Sequence, residues 1–200
     1  VVSAPGKRNK ADTKVTDLLI ECAGNRLTEK DPQELFEAIV ERYAIIYRGL
    51  GLDKHPETED VLNEIRADLE RRLTMEFTDA ARFMDAMKAA GEDNAARIVA
   101  AAFRARGIRA TYKHPGEAGL LMSDDFGNAQ VLPESYAKLA TLSEIAEREI
   151  VVFPGFFGVT KGGEIATFPR GGSDITGSIL AAAVKADVYE NFTDVDAVYP

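Results

Sequence analysis

The stretch FPRGGSDITGSILA, residues 168–181, sets an arginine, two glycines, a serine and an aspartate at the head of an apolar series, Ile175, Ile179, Leu180, Ala183 and Val184, at helical spacing. Two readings follow from these residue types. In one, the segment is a tight turn feeding a helix, with Ser173 or Asp174 as its N-cap. In the other it holds an anion. Gly171 and Gly172 let the backbone come close to a ligand, the helix start offers free N–H groups, and Arg170 adds a planar, bidentate clamp for carboxylate or phosphate. Turn chemistry alone does not ask for a guanidinium, so Arg170 favours the second reading.

Three more strand-like runs end in small or polar residues: VVSA (1–4) into APGKRNKADTK, VVFP (151–154) into GFFG, and NF (191–192) into TDVDAVY. Ligands of open α/β sheets collect beyond the carboxyl ends of the strands, so four such ends predict one shared site.

Composition narrows the chemistry. The 200 residues are 46% hydrophobic and 28% charged, enough for one domain with a real core. A net charge of −9 argues against sequence-independent nucleic-acid binding. It also demands that positive charge be concentrated locally around any anionic ligand. The loop with Lys7, Arg8, Lys10 and Lys14 is a source of such charge, expected to be mobile. The single cysteine, Cys22 in LLIECAG, precludes an internal disulfide framework, fits a reducing cytosol and reads as a buried, inert thiol. His55 and His114 are far apart and no protein-built metal site is expected. No apolar run approaches membrane-spanning length and no signal peptide is visible, so the expected location is cytoplasmic, with no membrane partner. A start at Val1 without methionine reads as a piece of a longer protein.

The elements that must position these residues can be laid out in order. VVSA is a short strand, and VTDLLIECAG a helix stopped at Gly24. Asp31-Pro32 opens a helix with the stripe Leu35, Phe36, Ile39, Val40, Tyr43, Ile46 and Tyr47. A further helix spans about 57–73, FTDAARFMDAMKAA is another, and Gly91-Glu92 opens an alanine-rich helix to Arg106. IRATY is strand-like, LLMSDDFGNAQVL a hairpin around Gly127-Asn128, and Pro133 starts a helix to about Glu147. EIVVF is a buried strand, KGGE a hairpin turn between VT and IATF, and ADVYENFTDVDAVYP a strand with an acidic exit. Strands alternating with helices imply an α/β domain with a mainly parallel central sheet flanked by helices, and an all-helical segment near 25–90.

The chain resembles the catalytic domain of aspartate kinases, in the amino-acid-kinase superfamily, over essentially its whole length. FPRGGSDITGSILA carries the most specific likeness; VVSAPG, KVTDLL, AAGEDNAARIVAAAF, FPGFFG and NFTDVDAVYP follow the family pattern in order. APGKR, KVTDLLIECA and VLPESYAKLATL are similar to the form found in Firmicutes. The resemblance implies the amino-acid-kinase fold and ATP-dependent phosphorylation, with Mg²⁺, of the side-chain carboxylate of L-aspartate, on the route to lysine, threonine and methionine. It implies Arg170 and Asp174 as catalytic residues. Arg170 would hold the substrate α-carboxylate and Glu92 its ammonium, with Thr16, Phe156, Gly171, Gly172 and Ser173 lining the pocket. Thr193, Asp194 and Tyr199 would bind ATP. It further implies a homo-oligomeric parent whose lysine- and glycine-bearing phosphate loop and regulatory ACT domains lie outside residues 1–200. From the residues alone, Glu92 also reads as a helix-dipole partner, Thr16 as an N-cap and Thr193-Asp194 as a strand-exit turn. The alternatives to an aspartate kinase are a sister kinase with a different carboxylate acceptor and a non-catalytic binding fragment.

Overall fold

A computed structural model describes residues 1–169 and 171–192. The first half is helical: α1 (Val15–Leu27), α2 (Gln33–Gly49), α3 (Val61–Thr74) and α4 (Ala80–Arg104). The second half alternates β1 (Ala110–Tyr112), α5 (Pro115–Ala118), α6 (Glu134–Leu139), α7 (Leu142–Ala146), β2 (Ile150–Val152), β3 (Phe157–Val159), β4 (Ile165–Thr167) and α8 (Gly172–Val184).

α4 is the spine. It packs against α1 and α3 on one side and β1 and β4 on the other. Its buried alanines, among them Ala89, Ala90, Ala96, Ala100 and Ala101, let those neighbours come close while favouring the helix itself. The two helices expected on either side of Gly91 are this one 25-residue helix. A mid-helix glycine costs only about 1 kcal/mol against alanine, and here close packing requires it. α1 likewise runs past Gly24 to Leu27; Thr28 ends it, its hydroxyl donating to the Gly24 carbonyl at 2.8 Å. α2 starts one residue later than expected, at Gln33 with Pro32 in the N-cap position, although Asp31 Oδ1 still accepts the Gln33 N–H at 2.9 Å. Its Phe36, Ile39, Tyr43 and Tyr47 are buried against α1, α3 and α4 residues such as Leu19, Ile65, Leu69, Phe83 and Met87. The helix expected after Pro133 is two short pieces, α6 and α7, because the Thr141 hydroxyl donates back to the Lys138 carbonyl at 2.8 Å.

β1 and β2 pair in parallel, Ala110 to Ile150 through Tyr112 to Val152. Ile150 and Val152 use their backbone groups toward β1, whereas Phe153 and Gly155 bond Val2 at 2.9 Å each, which places VVSA on the other edge of β2. VVSA contributes a single bridge, Val2 to Pro154, rather than a full strand; the Phe157 N–H, next in line to extend the ladder, turns to the Gly155 carbonyl at 3.0 Å instead. β3 and β4 form the expected antiparallel hairpin, turning at Gly163 with φ 85°. Leu121 joins β3 in parallel and Met122 pairs with Val131, so 120–132 is a short hairpin as read. A second core, of Leu120, Met122, Leu139, Phe153, Phe168 and Ile179, lies between these strands and α8. Residues 186–192 form no strand; the rest of that expected strand lies outside the described residues.

Candidate active site

α8 begins differently from either N-cap assignment. Gly171, at φ 79°, precedes its first residue, and Ser173 and Asp174 stand inside the first turn without capping it. Their backbone N–H groups are therefore left at the helix start, where an anion is favoured. The turn is held from below by Thr176, whose hydroxyl donates to the Gly172 carbonyl at 2.8 Å and accepts the Phe156 N–H at 3.0 Å. Phe156 is itself in the left-handed region, at φ 75°, a conformation that tilts GFFG toward the α8 turn. The approach is so close that a Cβ on Gly172 would lie 2.6 Å from the Phe156 ring, and one on Gly155 2.7 Å from Ser173 Oγ.

Above this turn opens a cleft of about 930 Å³. Thr16, Glu92, Phe156, Gly171, Gly172, Ser173 and Asp174 all line it, so the structure brings together seven of the residues singled out in the sequence. The exits of VVSA (Ser3 to Gly6), VVFP and ATFP meet there, joined by Asn191 and Phe192. Arg170, Thr193, Asp194 and Tyr199 lie outside the described residues.

Glu92 is at the centre of α4, far from its N-terminus, so it does not serve the helix dipole. It is 6% exposed, and Oε2 has no hydrogen-bond partner among the described residues. Burial pushes its carboxyl up to about 7, the backbone N–H groups of Ala4 and of Glu92 itself opposing the shift. A buried carboxylate with an unused oxygen is a costly arrangement that a bound cation would relieve. Thr16 sits in the second position of α1 and caps nothing; its hydroxyl lies 3.8 Å from where a Cβ on Gly91 would be.

Lys7, Lys14 and Lys88 line the cleft together with Asp17, Glu92 and Asp174, so the charges of its described walls balance within a chain of net charge −9. The basic loop is fastened rather than loose. Arg42 is ion-paired to Asp12 at 2.7 Å and donates to the Gly6 carbonyl at 2.5 Å, while Arg8 also binds Asp12. Those two arginines hold the Asp12 carboxyl well below the usual range. Cys22 is buried, its thiol pushed up to about 11, and takes no part in the site. Among the described residues no group of three histidine, cysteine or acidic side chains is placed to hold a metal.

Sequence reasoning missed Asp85 and Lys88. Asp85, 1% exposed, ties α4 to the second half: Oδ2 accepts the N–H of Gly127 at 2.7 Å and of Thr167 at 2.8 Å. Its Oδ1 takes the Lys88 ammonium at 3.0 Å. The spacing of Lys88 and Glu92, four residues apart on one helix face, was the available signal.

Strand-end loops meeting at a glycine-lined helix start, beside a buried carboxylate, define an α/β site for a zwitterionic or anionic small molecule. The chain matches the amino acid kinase family over residues 24–200 and belongs to it. It is 52% identical to aspartokinase 3 of Bacillus subtilis over 199 residues, all of this chain and 42% of that protein. Among solved structures, Clostridium acetobutylicum aspartate kinase aligns with a TM-score of 0.73 and 29% identity, covering 98% of this chain and 40% of that one. E. coli aspartokinase III in complex with aspartate and ADP aligns at TM-score 0.58 and 26% identity, covering 86% and 38%. The chain thus spans less than half the length of these relatives, and its α/β architecture is the amino-acid-kinase fold.

Proposed function

We propose that this chain is the acceptor-binding part of an aspartate kinase, transferring the γ-phosphoryl group of ATP to the side-chain carboxylate of L-aspartate. The observation that carries the reading is Glu92, buried and with one oxygen unpartnered among the described residues, on the wall of the same cleft as the α8 turn. It is suited to an ammonium, while the turn, with Arg170, is suited to a carboxylate. A free α-amino acid offers both.

The acceptor carboxylate is ionised at neutral pH, with a reference pKa near ~3.9, so no general base is needed and positioning dominates. Ser173 and Asp174 line both the acceptor cleft and a second cavity of about 530 Å³ beside Gly177, Tyr189 and Asn191. In this reading they stand at the junction between acceptor and nucleotide. Asp174, whose Oδ1 accepts from Asn191 at 3.0 Å, would supply one of the one or two carboxylates by which a Mg²⁺ carried on nucleotide phosphates is held. Thr193, Asp194 and Tyr199 complete the nucleotide side in this reading. Bound Mg-ATP supplies the phosphoryl group and the charge neutralisation.

A cytoplasmic, homo-oligomeric parent is part of the same proposal. No helix among the described residues is long and apolar enough to cross a membrane, and the net charge gives nucleic acid no basic face. Hydroxamate formation by the full-length protein with aspartate, glutamate and N-acetylglutamate as acceptors tests the reading. Aspartate is expected to react fastest, and a clear preference for either competitor would sink it.

A further inference from the structure

We propose that Lys88 reads the α-carboxylate of the acceptor, forming with Glu92 a paired recognition element for an α-amino acid. The inference rests on the aspartate reading above and adds a specificity residue to it. Both side chains line the cleft from α4, one turn apart, about 6 Å along the helix. A carboxylate and an ammonium on one α-carbon fit between such a lysine and such a glutamate.

The ammonium is placed rather than free. Asp85 Oδ1 holds it at 3.0 Å, and a Cβ on Gly127 would lie 3.9 Å from Nζ, so Lys88 is set against the 123–129 turn. Asp85 and Lys88 form a salt bridge through Oδ1 alone, Oδ2 being shared between the backbone N–H groups of Gly127 and Thr167. An ammonium has three donors, and Asp85 occupies one. The Thr167 tether also fixes which end of the substrate Lys88 meets. Thr167 ends β4, the strand leading directly into Pro169 and the RGGSD turn, so Lys88 belongs to the carboxylate side of the cleft. A lysine kept only to neutralise Asp85 would not need to face the cleft.

The test pairs a protein change with a ligand change, using calorimetric titration of the full-length protein. L-aspartate is compared with L-aspartic acid α-amide, which keeps the side-chain carboxylate and the ammonium but loses the α-carboxylate charge. Lys88→Met is expected to weaken aspartate about tenfold or more and the α-amide by about twofold or less. Should Lys88→Met fail to fold, Lys88→Gln, which can still donate to Asp85, carries the same comparison. Equal weakening of both ligands, or none of aspartate, would overturn the role of Lys88 and leave the aspartate reading standing. A wild-type protein that binds no aspartate would instead remove that reading and this inference with it.

Discussion

Ala4 packs so tightly on Gly91 that a Cβ at position 91 would lie 2.9 Å from the Ala4 methyl. This contact lets the segment after Val2 lie across the middle of α4, beside Glu92. Gly91→Ala should therefore improve intrinsic helix propensity yet destabilise the protein by about 1–3 kcal/mol, since the overpacking outweighs the gain. It should also weaken aspartate, because Ala4 and Glu92 line the same cleft. Denaturant unfolding with aspartate titration checks both; a stabilised variant with normal affinity would contradict the packing argument.

Glu92 links pH to stability. Its carboxyl lies at about 7 in the folded protein against a usual 4.5, so between those values the native state holds more protons than the unfolded state. Stability then falls as pH rises through that window, by up to about 3 kcal/mol. Glu92→Gln should flatten this dependence and raise the melting temperature at pH 8 by roughly 5 °C, at the expense of acceptor binding. Aspartate binding to the wild type near pH 6 should release a proton, seen as a buffer-dependent calorimetric enthalpy. Parallel melting-temperature profiles for the two proteins between pH 5 and 8 would refute the assignment.

A buried network braces α3, α4 and β1 behind the site. Arg72, 3% exposed, donates to Asp68 at 2.8 Å, to the Ala86 carbonyl at 2.8 Å and to Asp93 at 2.5 Å, and Tyr112 donates to the other Asp93 oxygen. Burial and the Asp93 charge push the Tyr112 hydroxyl far up, keeping it a donor. Arg72→Met removes the buried cation between Asp68 and Asp93, leaving Asp68 to the exposed Arg71 and Asp93 to Arg97 at 3.8 Å, and should cost about 3–5 kcal/mol. Adding Asp68→Asn and Asp93→Asn should recover part of that loss. If the triple variant is less stable than Arg72→Met alone, uncompensated charge is not the cause.

Much of this architecture could be read from residue types. The helix stripe on α2, the KGGE hairpin and the strand–helix alternation all follow from local periodicity and turn chemistry, which tertiary packing here only reinforces. Gly91 misled because a glycine before a glutamate looks like a helix start; only the approach of Ala4, distant in sequence, explains why the helix continues. Ser173 and Asp174 misled similarly, since the left-handed Gly171 shifts the helix start by a residue or two. Lys88 escaped notice because an i, i+4 pair of opposite charge ordinarily marks a solvated face. Its setting depends on Asp85 and Gly127, 42 residues apart.

The strongest demand on the proposed function falls on Arg170. If it clamps the acceptor α-carboxylate in a desolvated cleft, truncation removes one partner of a charged pair and leaves the other unpaired, a loss of roughly 2–5 kcal/mol. Arg170→Ala in the full-length protein should then lower kcat/KM for aspartate by at least ~10²-fold, chiefly through KM, with the KM for ATP little changed. Lys10 is the control. It is exposed on the basic loop and does not line the cleft, so Lys10→Ala should shift kcat/KM by less than about twofold. Because ground-state binding and transition-state binding both use the α-carboxylate, Arg170→Lys should recover only part of the loss, an ammonium being unable to reproduce a bidentate fork. Equal, mild effects at positions 170 and 10 would return RGGSD to an ordinary helix entry and leave the α-carboxylate to Lys88.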